Sequence, residues 1–137
     1  MAAYRNGGSD RVSVLLDTNA LLIPSRSGVD IFSCLQEIFG AFEPVVPSEV
    51  VNELRALSQG RGKSAAAARF GLALVRECRV LPPYDVMAPV DEIVVLQAES
   101  LGVPVLTNDR KLKELLLQKG IAVIVLRNQK RLELIRK

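Results

Sequence analysis

The chain has 137 residues, enough for one domain, and is 49% hydrophobic but only 4% aromatic with no Trp, so its core must be built from Val, Leu, Ile and Ala. It contains no histidine, which excludes Ser-His-Asp and Cys-His catalysis and any His-ligated zinc or haem, and its two cysteines make neither a four-thiolate metal site nor a disulfide framework. The net charge of +3 divides unevenly: residues 110–137 hold nine Lys/Arg against two Glu, whereas residues 1–109 hold nine against thirteen Asp/Glu. An acidic body beside a basic end suits a polyanion gripped next to a cation-binding site, although a solvated helix face and a frayed basic terminus have the same composition.

Residues 1–11 are polar and Gly-rich and are expected to be a loose lead-in, with a single domain over 12–137. Val12–Leu16 (VSVLL) is a continuous apolar run, as in a buried parallel strand. Asp17 and Asn19 then shape a turn. The spacing of Val29, Ile31, Phe32, Leu35, Ile38 and Phe39 predicts a helix that Gly40 stops. Pro44–Pro47 is a short strand, and Ser48 is expected to cap a helix over Glu49–Leu57 with Val50, Leu54 and Leu57 on its core face. Ser58–Ser64 (SQGRGKS) is a flexible connection. Its GRGKS ending mimics a phosphate-binding loop, but Leu57 stands where the first glycine belongs, and a helix precedes it where a strand should.

Ala65–Cys78 is an Ala-rich helix, Val80-Leu81 leads into Pro82-Pro83, and Val90–Leu101 is a helix ended by Gly102. Val103–Leu106 is a strand, Arg110–Lys119 a helix, Ile121–Leu126 a strand, and Arg127–Lys137 helical or irregular. Cys34 and Cys78 read as small buried hydrophobes within helices. Tyr4 and Tyr84 are too isolated to form a base-stacking platform. Leucines 112, 115 and 116 form a core stripe, and any exposed remainder there or on the Ala65–Leu74 helix would support a homodimer. No apolar run reaches the ~18 residues of a membrane span, so no membrane role is expected and a reducing cytoplasm is the simplest setting.

Alternating strands and helices predict an α/β fold: a mainly parallel sheet with helices on both faces. In such sheets the active crevice lies outside the carboxyl ends of the strands. Asp17 and Asp109 each follow a strand and should emerge at the same edge, though each also suits a helix cap or turn. At about 100° per residue, Glu53 lies at the margin of its helix's apolar stripe, and Asp91 lines up with Val94, Val95 and Ala98. Both acids are thereby turned towards the interior, which needs a compensator: a basic partner (Arg55, Arg110 or Lys111) or a cation. All-oxygen ligands suit Mg²⁺ or Mn²⁺, and such an ion activates water for phosphodiester hydrolysis. Asp17-Thr18-Asn19 falls short of the haloacid-dehalogenase pattern because its second position is Asn19 rather than an acid.

Leu16-Asp17-Thr18-Asn19-Ala20-Leu21, Pro47-Ser48-Glu49-Val50-Val51-Asn52-Glu53-Leu54, Val90-Asp91-Glu92 with Ala98 and Leu101-Gly102, and Thr107-Asn108-Asp109-Arg110-Lys111-Leu112 together resemble the PIN-domain nucleases, in that family's order. The likeness runs from Val12 to Leu126. It implies a three-layer α/β/α sandwich and a Mg²⁺- or Mn²⁺-dependent endoribonuclease acting on single-stranded or structured RNA. Carried over by position, it implies Asp17, Glu53, Asp91 and Asp109 as catalytic and metal-binding acids, with Asn19 and Thr107 supporting them. Where family members often have two consecutive Asp, this chain has Asp91-Glu92, and Glu92 projects about 100° away as a supporting or surface residue. Arg110, Lys111, Lys113, Arg127, Lys130 and Arg131 are the expected RNA-backbone contacts. The run Gly120–Leu132 is similar to PIN proteins related to small-subunit ribosomal RNA processing factors and their single-domain archaeal relatives, more than to toxin ribonucleases of toxin–antitoxin pairs. The competing expectations are a catalytically silent RNA- or ribosome-binding assembly factor, bound to an assembly intermediate, and a toxin ribonuclease.

Overall fold

A computed structural model describes residues 11–136. The elements, in chain order, are β1 (Val12–Leu16), α1 (Thr18–Ser27), α2 (Ile31–Phe39), β2 (Phe42–Pro47), α3 (Ser48–Ser58), α4 (Gly62–Val75), β3 (Arg79–Leu81), α5 (Val90–Leu101), β4 (Val105–Leu106), α6 (Arg110–Gln118), β5 (Val123–Arg127) and β6 (Arg131–Ile135). The strands form one sheet in the order β3-β2-β1-β4-β5-β6, parallel throughout except for β6. All five residues of β1 are buried. Since alternate residues point to opposite faces, both faces of the sheet must be covered, and the architecture is the expected α/β/α sandwich. Tyr4 and nearly all of the lead-in lie outside the described residues.

The aliphatic core follows from composition. Leu15, Leu16, Leu21, Ile31, Leu35, Leu54, Leu106, Leu116 and Ile124 are fully buried, and among the described residues no aromatic side chain is. Helices α1, α3 and α4 pack on one another. Gly71 of α4 permits this closeness, because a Cβ there would stand 2.9 Å from the carbonyl oxygen of Leu21. Among the described residues no helix is long and apolar enough to cross a membrane.

Five readings of the sequence need correction. Residues 18–27 form a helix where a turn is expected, with Asp17 as its N-cap and Pro24 inside it. Ser48 does not cap α3: Pro47 holds the cap position, and the Ser48 hydroxyl donates to the Leu81 carbonyl, tying α3 to β3. Leu57 is 40% exposed, and Val50, Val51 and Leu54 make the buried face of α3. The basic tail is a strand: β6 pairs antiparallel with β5 from Val123↔Ile135 to Arg127↔Arg131, through a turn at Asn128-Gln129. Leu132 is buried and Glu133 exposed, the alternation of a strand with one face on the core. Cys34 and Cys78 are half-buried, and Cys78 follows α4 rather than belonging to it. Burial pushes the Cys78 thiol up to about 12, which keeps it unreactive.

Candidate active site

Strand order reverses between the parallel neighbours β1 and β4: from β1 the chain adds β2 and β3 on one side, and from β4 it adds β5 and β6 on the other. The chain segments leaving their carboxyl ends diverge there and open a crevice. Asp17 is the first residue after β1, and Thr107-Asn108-Asp109 follows β4. Asp17, Thr18, Asn19, Leu22, Glu53, Leu57, Val90, Asp91 and Asp109 line one cleft of about 310 Å³ at this point. All four predicted acids therefore meet in one place, contributed by the ends of β1 and β4 and by α3 and α5.

Asp17 is the deepest, 4% exposed. One carboxylate oxygen accepts from the Ala20 amide at 2.7 Å and the other from the Thr107 hydroxyl. Burial pushes its carboxyl up to about 7; these two hydrogen bonds oppose the shift, and Asp91 and Asp109 add to it. Thr107 is wholly buried and also accepts from the Asp109 amide at 3.1 Å, so one hydroxyl joins the two strand-end acids. Asp109 caps α6 by accepting from the Leu112 amide at 3.0 Å. The capping alternative and the site reading thus hold together, because a cap fixes a carboxylate at a strand end while leaving it beside the cleft.

Glu53 and Asp91 are not buried as their helical phases suggested. Both are exposed at the rim. The Asp91 carboxyl is nevertheless raised, first by desolvation and then by Asp109 and Glu53. Glu53 accepts a hydrogen bond from the Thr18 hydroxyl. The Asn19 side-chain oxygen accepts from the Asn108 amide at 3.0 Å, fastening α1 to the loop that carries Thr107 and Asp109. Glu92 is exposed and does not line the cleft.

Among the described residues no Arg or Lys forms an ion pair with the cleft acids. Ion pairs join Arg11 and Arg79 to Glu43, Lys119 to Glu99 and Arg127 to Glu133, away from the cleft acids. The cleft is an uncompensated negative site with oxygen-only donors, and those donors fit a hard divalent cation. Among the described residues no three acids are gathered to ligate one ion jointly. Such a spread set suits a cation that keeps several of its waters and takes one or two carboxylates directly.

Four of the expected basic contacts share a depression with one of the cleft acids. Arg110, Lys113 and Arg127 line a depression of about 280 Å³ with Asn108 and Asp109. Lys111 and Asp91 line a second depression beside α6. Lys130 and Arg131 are exposed at the β5–β6 turn. Sequence reasoning missed Thr18 and Asn108 as structural parts of the site. Both adjoin a strand-end acid, and that adjacency was their only signal.

Comparison with known proteins agrees with this geometry. The family described as PIN like domain matches residues 14–129. The chain is 32% identical to Ribonuclease VapC9 of Archaeoglobus fulgidus over 96% of its own length and 95% of that protein. It is 28% identical to Ribonuclease VapC4 of Methanocaldococcus jannaschii, over 88% and 95% of the two chains. Its fold superposes on the PIN domain endonuclease Utp24 with a TM-score of 0.77 at 23% identity, covering 94% and 95%.

Proposed function

We infer the function from the premise that this chain belongs to the PIN-domain family: it is a nuclease, and its substrate is RNA. One observation carries the reading. Four carboxylates line a single cleft at the sheet's reversal point with no ion-pair partner among the described residues, beside a rim that carries Arg110, Lys113 and Arg127. The ribonuclease names of the two relatives support RNA as the polymer.

Asp17, Glu53, Asp91 and Asp109 would hold Mg²⁺ or Mn²⁺. When bound, such an ion lowers the pKa of water and offsets charge developing on phosphoryl oxygens. Asp17 is held rigidly by the Ala20 amide and Thr107, so its oxygens keep a fixed direction into the cleft. Thr18 steers Glu53, which would help hold the ion or orient the attacking water. Water adds to phosphorus and the ester bond to one ribose oxygen breaks. Arg110, Lys111, Lys113, Arg127, Lys130 and Arg131 hold the neighbouring phosphates, a role that requires charge and reach rather than fixed geometry.

We assign the activity to rRNA processing or RNA turnover in the cytoplasm. Growth arrest on expression, rescued by a small partner, would mark the toxin role instead. The test is cleavage of single-stranded and structured RNA by purified wild type and Asp17→Asn. The variant should lose cleavage and keep its fold. Cleavage at the wild-type rate by Asp17→Asn would overturn the mechanism and favour the silent assembly factor, in which losing the basic residues matters more than losing the acids.

A further inference from the structure

Beside the carboxylate cleft, and sharing Asn19 as a wall with it, is a separate cavity of about 160 Å³. Its lining is Asn19, Ile23, Arg26, Ser27, Asn108, Leu126 and Gln129. It is smaller than the ~300–1,000 Å³ of drug-sized ligand pockets. Three of the seven side chains are carboxamides and one is a guanidinium, the groups that read base edges.

The hydrogen-bonding state of these groups gives the cavity a polarity. The Asn19 oxygen is spent on the Asn108 amide, and the Asn108 oxygen accepts from the Leu126 amide at 3.4 Å. Each side chain keeps an NH₂ group with no hydrogen bond among the described residues, free to act as a donor. Ser27 gives its hydroxyl proton to the Ile23 carbonyl at 2.8 Å. Arg26 is exposed and makes no ion pair among the described residues. Ile23 and Leu126 supply apolar surface for the face of a ring.

Gln129 is a second observation. It stands at φ +57° beside Asn128 at φ +55°, the two left-handed residues that a two-residue hairpin turn uses to join β5 and β6. The turn closes through the Lys130 amide on the Arg127 carbonyl at 3.0 Å. The turn thereby brings a third carboxamide to the cavity wall.

We propose that this cavity is a nucleobase subsite, holding guanine from the nucleotide next to the cleaved phosphodiester. The proposal rests on the nuclease reading and gives it a base preference. Guanine offers two adjacent acceptors, O6 and N7, that match the Arg26 fork and the donors of Asn19 and Asn108. Adenine sets an amino donor beside N7 and uracil lacks two adjacent acceptors, while cytosine, whose O2 and N3 are adjacent acceptors, has only a single ring to cover Ile23 and Leu126. Arg110, Lys113 and Arg127, around the neighbouring depression that shares Asn108 and Leu126, would hold the phosphates that follow.

The test titrates the full chain, in EDTA, with the 5′-monophosphates of guanosine, adenosine, cytidine and uridine, following the side-chain NH₂ resonances of Asn19, Asn108 and Gln129. All four ligands carry the same phosphate, so differences report the base. Guanosine monophosphate should shift these resonances and bind about fivefold tighter or more than the others, the lower bound for one bidentate contact. Arg26→Lys keeps the charge but should erase the preference, as should Arg26→Ala. Equal affinities, shifts confined elsewhere, or a preference surviving in Arg26→Lys would overturn the subsite. Mapping of cut sites in a random-sequence RNA with Mn²⁺ separates the two readings. Cuts without guanine enrichment, together with base-independent shifts, retire the subsite and keep the nuclease. Guanine-selective shifts without any cleavage retire the nuclease and keep a base-binding site.

Discussion

Replacing Asp17 by Asn should stabilise the fold at alkaline pH and do little in acid. Asp17 has an ordinary carboxyl pKa of 3.8 when unfolded and about 7 in the folded chain, chiefly because burial removes its hydration. Between those values the native state holds a proton that the unfolded state has lost, so stability falls as pH rises from about 4 to 7 and is flat above. Roughly three pK units at 1.36 kcal/mol each correspond to about 4 kcal/mol, a large share of the ~5–15 kcal/mol of a typical domain. Asn avoids this loss. It keeps the bond from the Ala20 amide but meets a Thr107 oxygen that already accepts from Asp109, at a cost of about 1 kcal/mol. Urea denaturation in EDTA should therefore find Asp17→Asn about 3 kcal/mol more stable than wild type at pH 8 and no more stable at pH 4. Using the difference between the two proteins cancels the titration of their shared carboxylates. Millimolar Mg²⁺ or Mn²⁺ should then narrow the gap by stabilising wild type alone, by about 2.7 kcal/mol at a hundred times the dissociation constant. A gap equal at pH 4 and pH 8 would refute the argument that burial of an uncompensated Asp17 strains this site.

Thr107→Val keeps the shape but removes both bonds of the buried hydroxyl; we expect a loss of about 1–3 kcal/mol in urea unfolding and a ~10–100-fold drop in cleavage, with Thr107→Ser recovering most of both. Gly71→Ala drives a Cβ against the Leu21 carbonyl and must push α4 from α1, at about 1–3 kcal/mol; an unchanged unfolding midpoint would contradict that packing. Arg110→Ala with Lys113→Ala should weaken RNA binding across sequences and reduce the slope of log affinity against log salt by roughly 0.7 for each phosphate that is no longer neutralised, measured by fluorescence anisotropy.

Much of the fold was legible because its signals are local. The apolar run of β1 and the Pro89-to-Gly102 bracket of α5 are both read with the observed bounds. Helix α1 was hidden by Pro24 inside it and by Thr18-Asn19 at its start, residues that read as turn and breaker. The β6 strand was masked by charge: Leu132, Glu133 and Leu134 alternate, but five Lys/Arg in the last eleven residues suggested a solvated tail. The acids were found in the right elements and at the right sheet edge. Their depths were not, for a geometric reason. Helical phase tells which way Glu53 and Asp91 point around an axis, not how far along it they sit, and Asp91 in the first turn of α5 stands at the rim. Leu57 was misplaced for the same reason, since the end of α3 runs past the core and lines the cleft. Hydrogen bonds across the chain, such as Asn19 to Asn108, leave no periodic trace in sequence.

The most direct test of the four-acid metal site is a Mg²⁺ and Mn²⁺ titration of wild type and Asp17→Asn, read by amide chemical shifts with Mg²⁺ and by line broadening with Mn²⁺, with and without a single-stranded RNA. The account predicts saturable changes centred on Asp17, Glu53, Asp91 and Asp109 in wild type and their loss in the variant. No saturable binding at millimolar metal, even with RNA present, would contradict it.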